Sequence, residues 1–131
     1  MRLVTLGVGA ADSPRYAPAG LHQPSDLRLP DPGPEGTVVR APEFLEFPGW
    51  AHGAELMFAE AAGWERPIRF AGGVGGHLHV PAVAEAHRHR VGRLVFAHIG
   101  RPTIRAIDRG EQPGFGEFAR DGQVFRVTGR R

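Results

Sequence analysis

Arg93-Leu94-Val95-Phe96-Ala97-His98-Ile99, with Val91-Gly92 before it and Gly100-Arg101-Pro102 after it, is the stretch whose reading decides the fold. Its run of β-branched and aromatic residues, cut off on both sides by glycine and proline, predicts a strand. Upstream, Val80, Val83, Ala84, His87 and Val91 recur at helical spacing, so Leu78 to His89 reads as an amphipathic helix. Glu85, Arg88 and Arg90 then form its outer face, and Gly92 is expected to end it. Downstream, Pro102 is well placed to open a short helix through Ile107, because proline lacks only an N–H that the first helical turn leaves unpaired anyway.

Working outward, Ala54 to Glu60 reads as a mostly buried strand, with a short helix the alternative that the pattern leaves open. Thr37 to Arg40 is a short strand stopping at Ala41-Pro42, Trp50 to Gly53 a turn, and Pro67 to Phe70 a brief extended piece. Met1 to Val8 opens the chain as a strand that Gly7, Gly9 and Ala10 close in a tight loop, and Gln123 to Val127 is a last strand after the Asp121-Gly122 turn. Strands alternating with helices predict an α/β domain. Between Asp12 and Gly36 six prolines interrupt any apolar pattern, so that segment is expected to be irregular and not a helix or a central strand. There is no internal repeat.

The 131 residues, 41% of them hydrophobic, fit a single domain with a modest core. No cysteine is present, so any metal must be held by His, Asp or Glu. The apolar N-terminal run is broken at once by glycines and reads as neither a signal peptide nor a membrane span, which makes a cytoplasmic protein with no membrane partner the expectation. All sixteen basic residues are arginines set against fourteen acids, and the formal net charge is only +2. They are scattered except for Arg126, Arg130 and Arg131, which argues against direct nucleic-acid binding through a basic stripe but leaves RNA open as a substrate.

The residues able to do chemistry lie in three segments: Val38 to Glu43, a strand ending in a carboxylate; Gly75-Gly76-His77 at a helix start; and the strand ending at His98. A hydrolytic zinc or manganese centre needs imidazoles and carboxylates around an open position, and a His at the end of a buried strand is rigidly aimed. Glycines ahead of His77 let backbone approach a ligand. The glycine run 72–76 has neither the dinucleotide nor the Walker spacing. Each residue also has a plainer reading: Glu43 as a solvated turn carboxylate, His77 as a local hydrogen-bonding group, His98 as a strand-end imidazole bonded to its neighbours. His87 and His89, two apart on a helix, point to different faces and cannot chelate together, so packing or solvated roles are expected. Phe44, Phe47, Pro48 and Trp50 read as core or partner surface, or as the mouth of a substrate site.

Together with the opening Leu3-Val4-Thr5-Leu6-Gly7-Val8-Gly9-Ala10-Ala11, these segments resemble the metallo-β-lactamase superfamily, most of all its phosphodiesterase and tRNA 3′-processing endonuclease branch. The resemblance covers the first twenty or so residues and nearly everything from Thr37 on. It implies an αββα sandwich, here incomplete, with a mixed sheet and flanking helices, and metal-assisted hydrolysis of a phosphodiester or other ester. It further implies Glu43 and His98 as metal ligands, His77 as a catalytic group assisting the leaving group, and Arg101 and Gly76 at the substrate. Intact relatives carry two zinc ions.

The family's His-x-His-x-Asp-His loop has no counterpart here. His77-Leu78-His79 has its first spacing but runs on as Val80-Pro81-Ala82, and the Pro-rich stretch occupies the place where the loop belongs. An internally truncated hydrolase is the leading expectation. The alternative is a non-catalytic remnant or interaction module, since deleting elements from a sandwich exposes apolar surface and strand edges that favour homo-oligomers.

Overall fold

The computed structural model describes residues 2–7, 20–22, 38–41 and 43–127. Its centre is a four-stranded, wholly parallel sheet in the order β3-β4-β7-β8, made of β3 (Val38–Ala41), β4 (Leu56–Ala61), β7 (Arg93–Ile99) and β8 (Glu117–Phe118). Every residue of β4 is buried, as befits an inner parallel strand covered on both faces. The strand expected over Ala54 to Glu60 is found at Leu56–Ala61, two residues later at its start and one at its end, and its near-continuous apolar run reflects burial on two sides.

A small antiparallel ladder of β5 (Ile68–Arg69) and β6 (Gly76–His77), the short helix α1 (Val80–Val83) and a 3-10 turn over Ala84–His89 make the crossover from β4 to β7. The helix α2 (Arg101–Asp108) crosses from β7 to β8. Parallel strands cannot be joined by a tight turn, so each such connection must carry intervening structure. The fold is therefore mixed α/β around a parallel sheet. Among the described residues, antiparallel pairing is confined to the β5–β6 ladder and to a second sheet, β2-β1-β9, of β1 (Arg2–Gly7), β2 (Gly20–His22) and β9 (Val124–Arg126). β2 falls inside the Pro-rich stretch. It is only three residues long and lies at the sheet edge, the place such a sequence tolerates. The rest of that stretch, Gly9 to Ala11 and Arg130-Arg131 lie outside the described residues.

β7 has the bounds its sequence predicts, and α2 begins one residue earlier and ends one later than Pro102 to Ile107. The expected Leu78–His89 helix differs more. Leu78 and His79 stay extended because their backbones serve other partners: the Leu78 N–H bonds Phe44 O and Glu60 Oε1, and His79 bridges to Gly63. Pro81 then fits the first turn of a helix that starts at Val80. The helical stretch ends in a left-handed turn at Arg90 (φ 57°) and not at Gly92, whose N–H is drawn to Ala54 O at 2.8 Å. The periodicity is otherwise kept, with Val80, Val83, Ala84 and Val91 buried and Glu85, Arg88 and Arg90 exposed; His87 is exposed too.

The core gathers β4, β7, α1 and α2 around Met57, Phe58, Leu94, Phe96, Ile99 and Val83. Phe125 of β9 packs edge-on against Phe58 of β4, with ring centroids 5.1 Å apart, and fastens the second sheet to the first. Among the described residues no helix is long and apolar enough to cross a membrane.

Candidate metal centre

Glu60 is the one fully buried carboxylate among the described residues, near the end of the innermost strand. A carboxylate there is costly unless its oxygens are engaged. Its Oε1 accepts the Phe44 N–H at 3.1 Å and the Leu78 N–H at 2.8 Å, and its Oε2 contacts His77 Nδ1 directly. Burial pushes its pKa above the ordinary 4.5, and the bonds from His77, Phe44 and Leu78 oppose that rise without cancelling it. The pull of the half-buried loop around Phe44 and of the segment after β6 towards one point is thus set by a single side chain.

His77 is carried by β6, whose partner in the ladder is Ile68. Gly76 beside it is buried, and a Cβ there would lie 2.2 Å from Ile68 O, so only glycine permits this approach. The structure thereby gives Gly76 a backbone reason for being glycine, namely seating His77. Phe70 and His98 each make an edge-to-face contact with the His77 ring, with centroids 5.3 and 5.2 Å away.

His98 reaches the cluster by a distortion. β4 and β7 run in register up to Glu60 opposite Ala97, and then Ala61 faces Ile99, so His98 is an extra residue in β7. Regular alternation would turn a residue after Ala97 to the face opposite Glu60. The bulge, with His98 in the left-handed region at φ 55°, re-aims its imidazole towards His77. Non-glycine residues seldom adopt this conformation, and such strain gathers at functional sites.

Glu60, His77 and His98 each present a ligand atom within 4.8 Å of the other two, a group able to hold a metal ion. Two imidazoles and a carboxylate match the three-protein-ligand set of open zinc sites. The structure brings together His77 and His98, as the sequence suggests. It places Glu43 on the exposed start of the loop whose next residue, Phe44, bonds Glu60, and Glu43 is not in the group. Arg101 is exposed in the first turn of α2. Glu60 is the residue that sequence reasoning missed: a lone acid in the apolar run Leu56 to Ala62 was the available signal, read there only as the end of a strand. His89 stacks on Phe47 at 4.1 Å, and His87 packs near Phe115 and bonds Ala84 O, the packing roles expected of them. Phe44 and Phe47 pack against the core, whereas Trp50 is exposed. Comparison with protein-family models, curated proteins and solved structures found no match.

Proposed function

We propose that the chain is a metal-dependent hydrolase homologue of the metallo-β-lactamase type, with Glu60, His77 and His98 as its metal ligands and zinc as the ion. The observation that carries this reading is the convergence of three ligand atoms from β4, β6 and the bulge of β7, one of them on a fully buried carboxylate. The edge-on packing of Phe125 against Phe58 supports the finer expectation of a two-sheet sandwich.

A divalent zinc bound there would supply Lewis-acid polarisation for hydrolysis of a phosphodiester or other ester. Glu60 offers Oε2 while its Oε1 stays anchored by two backbone N–H groups, which fixes the carboxylate plane. His77 Nδ1 and Glu60 Oε2 release the proton between them when both act as ligands, so affinity rises with pH. His98, placed by the bulge of β7, would be the third ligand.

Zinc titration by calorimetry, joined to hydrolysis of a chromogenic phosphodiester, tests this reading. Stoichiometric binding is expected, with Glu60→Gln or His98→Ala weakening it by about tenfold or more, and with Glu43→Gln leaving it unchanged. Absence of binding together with concentration-dependent oligomers would favour the interaction-module reading. Loss of binding in Glu43→Gln but not Glu60→Gln would overturn the ligand assignment.

A further inference from the structure

A second concave site, bordering the His77 ladder at Ile68, lies between the loop that follows β4 and the exposed side of α2. It is a cleft of about 480 Å³ walled by Trp64, Ile68 and Pro102 and lined as well by Arg66, Arg105 and Arg109. Glu65 is the carboxylate on its lining. None of Glu60, His77 and His98 contributes to it.

The arginines are not equivalent. Arg109 is ion-paired with Glu111, and that contact raises its pKa further. The side chains of Arg66 and Arg105 have no hydrogen-bond or ion-pair partner among the described residues. They come from different elements, the loop and the middle of α2, and face one cleft. Two guanidinium groups without a hydrogen-bond or ion-pair partner among the described residues, beside the lining carboxylate of Glu65, can present paired N–H forks that match the oxygens of a phosphate or carboxylate. Two positive charges suit the near-dianionic phosphate monoester at neutral pH better than a singly charged carboxylate. The volume falls in the range of small-molecule pockets and exceeds what a bare phosphate fills, and Ile68, Pro102 and Trp64 leave an apolar wall for the rest of the ligand.

We propose that this cleft binds a small phosphate monoester, with Arg66 and Arg105 gripping the phosphate and Ile68 and Pro102 seating its organic part. The site is independent of the metal reading, and it is tested on zinc-free protein.

Equilibrium dialysis against monobutyl phosphate at low ionic strength, where screening is weak, measures the binding directly. Saturable one-site binding is expected, weakened about tenfold by Arg66→Gln and again by Arg105→Gln, each loss corresponding to a charge-assisted contact. Arg88→Gln removes the same charge from a distant surface pair with Glu85 and should alter binding less than twofold. Inorganic phosphate should bind more weakly than the butyl ester. Non-saturable uptake, equal loss in Arg88→Gln, or retention in both cleft variants would overturn the site; inorganic phosphate binding as tightly would overturn its assignment to a monoester. Arg66 and Arg105 are exposed side chains on separate elements, so folding of the variants, checked by thermal melting, does not depend on either one.

Discussion

At the scale of single residues, Glu60 sets the pH behaviour. Its folded pKa lies above the ordinary 4.5, chiefly through desolvation, so above pH 4.5 the folded state holds a proton that the unfolded chain has lost. Stability of the metal-free protein is therefore expected to be fully present below about pH 4.5 as far as this group is concerned, and to fall as pH rises through the folded value. Urea melts across that window should show the fall, and Glu60→Gln should flatten it; an unchanged slope in the variant would assign it elsewhere. His98 carries a different residue-scale cost. Asparagine tolerates the left-handed region and valine does not, so His98→Asn should stay within about 0.5 kcal/mol of the parent while His98→Val loses about 1–3 kcal/mol. Equal stabilities in denaturant titrations would mean that the backbone relaxes without the bulge.

At the scale of elements, short pieces of backbone do most of the positioning. The two-residue ladder of β5 and β6 holds His77, and its closest approach is at Gly76. Gly76→Ala must push Ile68 O away, with an expected loss of about 1–3 kcal/mol by the overpacking argument and a matching loss of zinc affinity as His77 shifts. Gly100, at the start of α2, is similarly confined by Ala62 O, 2.6 Å from a would-be Cβ. Chemical denaturation and zinc calorimetry on Gly76→Ala check the first point: full affinity in a destabilised variant would separate the ladder from the site. The elements themselves were largely legible in the sequence, because apolar periodicity reports burial directly. β7 matched residue for residue, whereas the start of α1 did not, because the N–H of Leu78 was claimed by Glu60 and Phe44, partners remote in the chain.

At the scale of the whole molecule, the two larger sheets meet at Phe125, which is fully buried between Phe58 and the guanidinium of Arg93, 5.0 Å from its ring centre. Phe125→Ala is expected to cost about 3–5 kcal/mol. That is a large share of the 5–15 kcal/mol typical of a domain, so a fall in urea midpoint large enough to leave the variant partly unfolded in water should follow. A midpoint within experimental scatter of the parent would show that β9 contributes little to the core.

What the amino-acid order settled by itself was local: α/β alternation, the buried run of β4, the bounds of β7, and histidines at 77 and 98 in settings that favour chemistry. These follow from spacing and composition, which act between near neighbours. The partner of those histidines was decided only in three dimensions. The family resemblance points to Glu43 as the carboxylate, yet parallel pairing sets Glu60 next to Ala97, and the extra residue of the bulge then turns His98 back towards it. Register across a sheet is a property of two strands at once, and neither strand's residues state it alone.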